Sequence, residues 1–165
     1  MPQTSKQILT MIALLLPLLG AVSAAIGPVR AQSMVTLIVT DPLTGIALGG
    51  ADPVAYFTDN ELVPGRAEFE FSWQNVPWHF SSAANRDVFA RAPEIYAPRF
   101  GGHDGMGVAR GFVADSDPRF FTVFKQRLYL FFSAANREAF LMAPDAAAAR
   151  AEALWPELSR NLSIN

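Results

Sequence analysis

Apolar and polar positions change their period part-way along the chain, from a repeat of two residues to the longer repeat of a helix. Aromatic residues alternate with polar ones over residues 69–73 and again over residues 78–80, which is typical of two half-buried strands around a turn. Ser82 is then placed to cap a helix over residues 83–92, and Pro93 ends the run. The pattern predicts a strand, a turn, a second strand and a helix.

The same succession of elements is predicted a second time, 51 residues further along, over residues 119–142. The segment FSSAANRDVFARAPE, which begins at Phe80, and the segment FFSAANREAFLMAPD, which begins at Phe131, are identical at nine of fifteen positions. A match at a fixed offset, in which aromatic residues replace aromatic residues, indicates a duplicated supersecondary unit. The two repeat units span residues 68–94 and 119–145.

A single hairpin with one helix is marginally stable, so we expect the two repeats to pack together into one small α+β domain. In this domain the repeats would bury their aromatic sides against each other. Residues 144–158 are rich in good helix formers and predict a C-terminal helix that closes the domain. Before the repeats, residues 35–40 predict an edge strand or an ordered lead-in, and residues 54–57 predict a short helix, with a strand as the alternative.

The first residues of the chain differ from the rest. Lys6 precedes an uncharged, apolar run over residues 8–25, and small residues follow it, so residues 1–31 predict a secretory signal peptide. The alternative is a retained membrane anchor, although a proline and a glycine interrupt the run. We therefore expect a periplasmic or secreted domain over residues 32–165, which meets a membrane only if the leading segment stays uncleaved.

Composition excludes several classes of protein. The 165 residues include no cysteine, so disulfides and thiolate metal sites are excluded, and stability must come from packing. Thirteen Phe, three Trp and three Tyr supply large apolar side chains for a core. The formal net charge is −2, so the chain lacks the excess of basic residues that is typical of nucleic-acid-binding proteins.

A glycine-rich loop between the repeats is the first candidate for chemistry. It reads FGGHDGMG from Phe100, and its His103, Asp104 and Met106 form a possible set of metal ligands. Imidazole and thioether donors suit copper, and imidazole and carboxylate donors suit zinc. The same loop is also compatible with an organic ligand, or with a tight turn whose polar residues face water.

His79 is the second candidate, because it is the only other histidine. It alternates with Trp78 and Phe80, so it should lie on the opposite face of the hairpin from those aromatic rings. If the glycine loop folds back over that face, His79 and His103 would share a ligand site; otherwise His79 is an exposed strand residue.

Both repeats retain an Asn-Arg pair, Asn85-Arg86 in the first and Asn136-Arg137 in the second. Retention in both copies favours a structural role, in which these side chains bond a hairpin carbonyl or pair with an acid. An anion site at the helix start is the alternative. The chain contains no nucleophile elbow and no phosphate-binding glycine loop, so the sequence gives no positive support for catalysis.

Three segments in order resemble the exported YHS-domain proteins, over about Ala47 to Pro156. They are GADPVAYF from Gly50, WHFSSAANRDVF from Trp78, and PEIYAP from Pro93 followed by a Gly-Gly pair. The resemblance implies a small α+β domain, secreted or periplasmic, that is a metal-binding or sensing module and not an enzyme.

The chain also departs from that family's pattern. The family has Gly-Gly-Tyr-Cys where this chain has Gly-Gly-His103-Asp104, an aromatic residue in place of Met106, and Tyr in place of Ala51 and His79. Loss of the cysteine removes a thiolate ligand. The site is then either re-specified for imidazole and carboxylate ligands or degenerate. We expect binding of a metal ion or small ligand, with a structural or protein-interaction scaffold and an enzyme accessory protein as alternatives.

Overall fold

Two antiparallel hairpins, each followed by helices, make up the part of the chain that the computed structural model describes, residues 36–162. The strands are β1 (Arg66–Trp73), β2 (Val76–Phe80), β3 (Asp117–Phe124) and β4 (Arg127–Phe131). The helices are α1 (Ala55–Thr58), α2 (Ala83–Arg91), α3 (Pro93–Tyr96), α4 (Gly105–Arg110), α5 (Ala134–Met142) and α6 (Pro144–Leu158). The predicted signal peptide over residues 1–31 lies outside the described residues.

The predicted duplication and the α+β fold are confirmed. Strands β1 and β2 pair as one two-stranded sheet, and β3 and β4 pair as another. Each hairpin has the same register irregularity near the start of its first strand, between Arg66 and Glu70 in one and between Asp117 and Phe121 in the other. We call residues 48–96 the first lobe and residues 100–158 the second lobe.

Local sequence explains why both copies fold alike. Each hairpin turns through two residues with positive φ, which is the backbone of a type I′ turn. Each following helix is capped by a serine, Ser82 or Ser133, whose side chain accepts a bond from the backbone N–H three residues later. The second strand of the first lobe begins at Val76, so the turn occupies Gln74–Asn75 alone and Pro77 lies within the strand.

Each lobe buries its aromatic residues against its own helix. Phe89 of α2 lies 5.2 Å from Trp78 and 5.1 Å from Phe80 between ring centroids. Phe140 of α5 lies 5.0 Å from Tyr129 and 5.2 Å from Phe131. The expectation that the two aromatic sides pack on each other is therefore wrong, because the helix of each repeat already covers them.

The lobes meet instead through the other face of the second hairpin. That face carries apolar residues that join the core cluster of the first lobe: Phe121, Val123, Leu128 and Leu130. The corresponding positions of the first hairpin are mostly polar: Glu70, Ser72, Pro77 and His79. One hairpin is therefore apolar on both faces, as a sheet buried on both sides must be.

The remaining elements complete the fold around these lobes. The described part of the lead-in, residues 36–40, forms isolated bridges at Thr36 and Thr40 and no strand. The short helix predicted at residues 54–57 is present as α1, and the predicted C-terminal helix has the bounds of α6, which continues past Pro156. Within the described residues no helix combines the length and apolar character of a membrane span.

Candidate functional site

A fully buried aspartate anchors the helix of the first lobe. Asp52 Oδ2 accepts hydrogen bonds from Asn85 Nδ2 at 2.7 Å, from Ser81 N at 2.8 Å and from Ser81 Oγ at 2.7 Å. Its Oδ1 accepts a fourth bond from Val54 N at 2.9 Å, and the residue is 0% exposed. These bonds replace the water that the carboxylate loses on burial.

Asp104 makes the equivalent arrangement in the second lobe. It is also 0% exposed, accepts a bond from Met106 N at 3.2 Å, and accepts another from Asn136 Nδ2. The two asparagines retained in both repeats thus each have a buried acid as partner. Asp104 corresponds to Asp52 and holds the scaffold together, so its carboxylate oxygens are already occupied.

The glycine loop is consequently part of the duplication, and not the connection between the repeats. Residues 48–52 read LGGAD and residues 100–104 read FGGHD. Their first residues both have positive φ, 56° for Leu48 and 57° for Phe100, and the aspartate N–H of each loop donates to a carbonyl further along, in Val63 or Ala114. The loops are 52 residues apart while the repeats are 51 apart, so a comparison at one fixed offset misses them.

The retained arginines have weaker contacts than the asparagines. Arg86 pairs with Asp87 beside it at 2.9 Å on the surface. Arg137 Nη2 lies 4.0 Å from Glu138, and its Nε is buried without a hydrogen-bond partner among the described residues. Neither Arg86 nor Arg137 therefore bonds the buried acid that holds the asparagine before it.

His103 is what distinguishes the second glycine loop from the first, which has Ala51 at that position. Its side chain is 0% exposed, and Nε2 lies 2.8 Å from the carbonyl oxygen of Thr36 in the lead-in. Nδ1 is buried, and by hydrogen-bond geometry it has no partner among the described residues; it lies 3.5 Å from the carboxylate of the exposed Asp115. Burial lowers the pKa of His103 below its usual range.

His79 lies on the polar face of the first hairpin, as its alternation with the neighbouring aromatic residues predicts. Its Nε2 is 3.1 Å from Glu70 Oε2, its partner across the strands. Gly50 and Gly65 lie beside it, so the side chain is only 11% exposed. Leu130 takes this position in the second lobe, where the equivalent face is buried.

The two predicted metal ligands, His103 and Asp104, make separate contacts in the structure. His103 has extended backbone angles and Asp104 follows it directly, so their side chains leave the chain in different directions. Asp104 caps α4, whereas His103 contacts the lead-in. Over residues 36–162 no group of three or more His, Cys, Asp or Glu side chains is placed to hold a metal ion.

Met106, the last predicted ligand residue, lines a groove between α4, α5 and α6 with a volume of about 400 Å³. Besides Met106, two arginines and five alanines line it, and we call it the alanine groove. The arginines are Arg110 and Arg150, and the alanines are Ala109, Ala139, Ala143, Ala146 and Ala147. Its volume falls within the usual range for small-molecule sites.

The groove is open because the second lobe lacks two aromatic side chains of the first. In the first lobe Phe57 and Tyr96 pack edge to face, with ring centroids 5.3 Å apart. Their counterparts in the second lobe are Ala109 and Ala147, and both line the groove. Sequence reasoning missed this site. Its signal becomes apparent when the two Gly-Gly-X-Asp loops are aligned, because Phe57-Thr58 of the first lobe is then matched by Ala109-Arg110 of the second.

Two buried groups with shifted pKa values, Tyr56 and His103, do not form a catalytic pair. Burial raises the pKa of Tyr56, whose hydroxyl donates to the carbonyl oxygen of Pro118 at 3.0 Å. His103 likewise bonds a backbone carbonyl oxygen. In the described part of the chain neither of these groups hydrogen-bonds a nucleophilic side chain, which is the contact by which a base activates a nucleophile.

Comparisons with known protein families, curated proteins and solved structures found no match to this chain.

Proposed function

We propose that this chain is an exported, non-enzymatic binding module of the YHS type, and that it binds a small organic ligand in the alanine groove. The observation that carries this proposal is the difference between the two copies of one fold. The first lobe fills the space beside its short helices with Phe57 and Tyr96, while the second lobe leaves it open. Features that both copies keep are explained by the needs of folding. The groove occurs beside the short helices of the second lobe and not at the same place in the first, so folding does not explain it.

A small organic ligand is favoured over a metal ion. The oxygens of Asp104 are bonded to Met106 N and Asn136, and His103 Nε2 is bonded to the lead-in. A metal bound to these residues would have to enter a fully buried position, whereas an organic molecule could enter the open groove without breaking any of these bonds. We expect copper, zinc and nickel salts to leave the melting temperature unchanged, since a metal stabilises only the fold that binds it.

The test restores the first lobe's aromatic pair in the second. The double variant Ala109→Phe/Ala147→Tyr fills the groove with side chains that already pack together elsewhere in this protein. A thermal-shift screen of small organic acids, amines and neutral amphiphiles should yield compounds that raise the melting temperature of the wild type and not that of the filled variant. Equal shifts in both proteins would contradict the proposal.

A second variant guards against a filled protein that does not fold. Ala143 is exposed at the edge of the groove, so Ala143→Leu narrows it without placing bulk in the core. We expect this variant to unfold at the wild-type temperature and to bind screened compounds more weakly. Localisation is tested separately: intact mass of the exported protein should correspond to loss of residues 1–31.

An interaction surface on the same lobe is a second candidate function. Phe132 and Met142 are 63% and 87% exposed, and their counterparts in the first lobe are Ser81 and Arg91. A continuous apolar patch that includes these side chains would favour contact with another protein. Sedimentation velocity of the wild type and of Phe132→Ser/Met142→Arg would detect self-association that the variant loses.

A further inference from the structure

The two arginines of the alanine groove have no acidic partners among residues 36–162. Arg110 and Arg150 line the groove, and within the described residues neither lies in an ion pair. Each is instead held by one neutral acceptor. Arg110 Nη1 donates to Asn136 Oδ1 at 3.1 Å, and Arg150 Nε donates to the carbonyl oxygen of Ala109 at 2.7 Å. A guanidinium has five N–H donors, so each retains donors for an anion.

Asn136 gives Arg110 a fixed position through the scaffold itself. Its Nδ2 donates to the buried Asp104, which fixes the amide, and its Oδ1 then accepts from Arg110. The first lobe has the same acid–amide pair but carries Thr58 where Arg110 stands. The second lobe therefore has a guanidinium group, that of Arg110, bonded to an acid–amide pair that both lobes share.

Arg150 stands on the same helix, α6, as Glu152, but Glu152 forms a bidentate ion pair with Arg99. Arg150 bonds only a backbone carbonyl oxygen. Within the described residues, both arginines of the groove are thus free of a carboxylate partner.

The rest of the groove lining is apolar. Its five alanines offer no polar side chain, and Met106 is an adaptable apolar residue. Resting on the proposed function, we infer that the alanine groove binds a free single-chain carboxylate of the fatty-acid type, with Arg110 and Arg150 holding its carboxylate and the alanines covering its chain. Planar guanidinium groups match a carboxylate in bidentate geometry, which suits this head group.

The experiment is isothermal titration of the full exported protein with three probes of equal chain length: decanoate, decanol and decyltrimethylammonium. We expect decanoate to bind at least about tenfold more tightly than either other probe, because hydrogen bonds to charged groups are among the stronger ones. Arg110→Gln and Arg150→Gln should each weaken decanoate binding about tenfold or more and leave decanol binding unchanged. Arg91→Gln, which alters an exposed arginine of the first lobe, is the matched control and should change neither.

Different failures point to different errors. Equal binding of decanoate and decanol, unaffected by either arginine variant but lost in Ala109→Phe/Ala147→Tyr, would overturn the carboxylate assignment and leave the binding module intact. Decanoate binding that persists in the filled variant, or no binding of any probe, would remove the groove as the site. Binding to vesicles of anionic lipid in preference to free decanoate would also overturn the inference, since it would indicate a membrane surface as the partner.

Discussion

The duplicated acid–amide pairs make a quantitative prediction about stability. Asp52→Ala removes four hydrogen bonds to a fully buried carboxylate, whereas Asp104→Ala removes two. Each lost bond leaves a buried N–H or O–H donor without an acceptor, at a cost of about 1 kcal/mol or more, partly offset because a buried charge is also removed. We expect a loss of about 3–5 kcal/mol for Asp52→Ala and about 1.5–3 kcal/mol for Asp104→Ala, in proportion to the bonds lost.

Urea unfolding followed by tryptophan fluorescence measures both values, and equal m-values would show that the same cooperative unit unfolds. Asp59→Ala, which changes an exposed aspartate at the end of α1, is the control and should cost less than about 0.5 kcal/mol. A double-mutant cycle between Asp52 and Asn85 should give a coupling of about 1–2 kcal/mol, because the two side chains are directly bonded.

The reasoning would be refuted by a cost for Asp104→Ala equal to or above that for Asp52→Ala. It would also be refuted if Asp104→Ala were neutral for stability and abolished binding of decanoate without any change in Arg110. Either result would mean that Asp104 serves a ligand directly and is no copy of a structural residue.

Three further predictions concern the glycine loops, the buried histidine and the lobe interface. Gly101→Ala should lower the free energy of unfolding by at least about 2 kcal/mol more than the matched Gly49→Ala. Both glycines have positive φ, but only at Gly101 would an added Cβ lie 1.8 Å from a backbone oxygen of the lead-in. Burial lowers the pKa of His103, so on acidification this side chain is protonated in the unfolded chain before it is protonated in the folded one. Its contribution to the free energy of unfolding is therefore full above about pH 6.5 and should fall below that pH by at most about 1.4 kcal/mol per pH unit. Urea titrations at several pH values should show this slope in the wild type and in His79→Gln, and not in His103→Leu. Tyr56→Phe loses one hydrogen bond to the second lobe and should lower the free energy of unfolding by about 1 kcal/mol in the same assay.

Much of the fold could be predicted because each local signal agrees with the global structure. Alternating aromatics, a serine cap and a following proline occur twice, and both copies form the predicted elements. Packing between the copies could not be predicted in the same way. Phe121, Val123, Leu128 and Leu130 make the second hairpin apolar on both faces, and only the structure shows that this second face, and not the aromatic one, meets the other lobe.

The candidate site was harder to predict for a physical reason. His103 and Asp104 are the residues in the sequence that most suggest a ligand site. In the structure both are buried, and both make hydrogen bonds that hold loops in place. The alanine groove is defined by side chains that are absent, and alanine in a helix is most simply explained by helix propensity. It becomes visible only when Ala109 and Ala147 are placed on the same positions as Phe57 and Tyr96.

The longer C-terminal helix explains how the second lobe tolerates an open groove. In the first lobe α3 has four residues, and the contact of Tyr96 with Phe57 holds it against α1. Helix α6 has 15 residues, buries Ala148 and Ala151, and places Trp155 on Phe100 at 5.5 Å, so it is held along its length without that aromatic pair. The second lobe can therefore leave the position beside α4 empty at little cost in stability, and this freedom is what a binding groove requires.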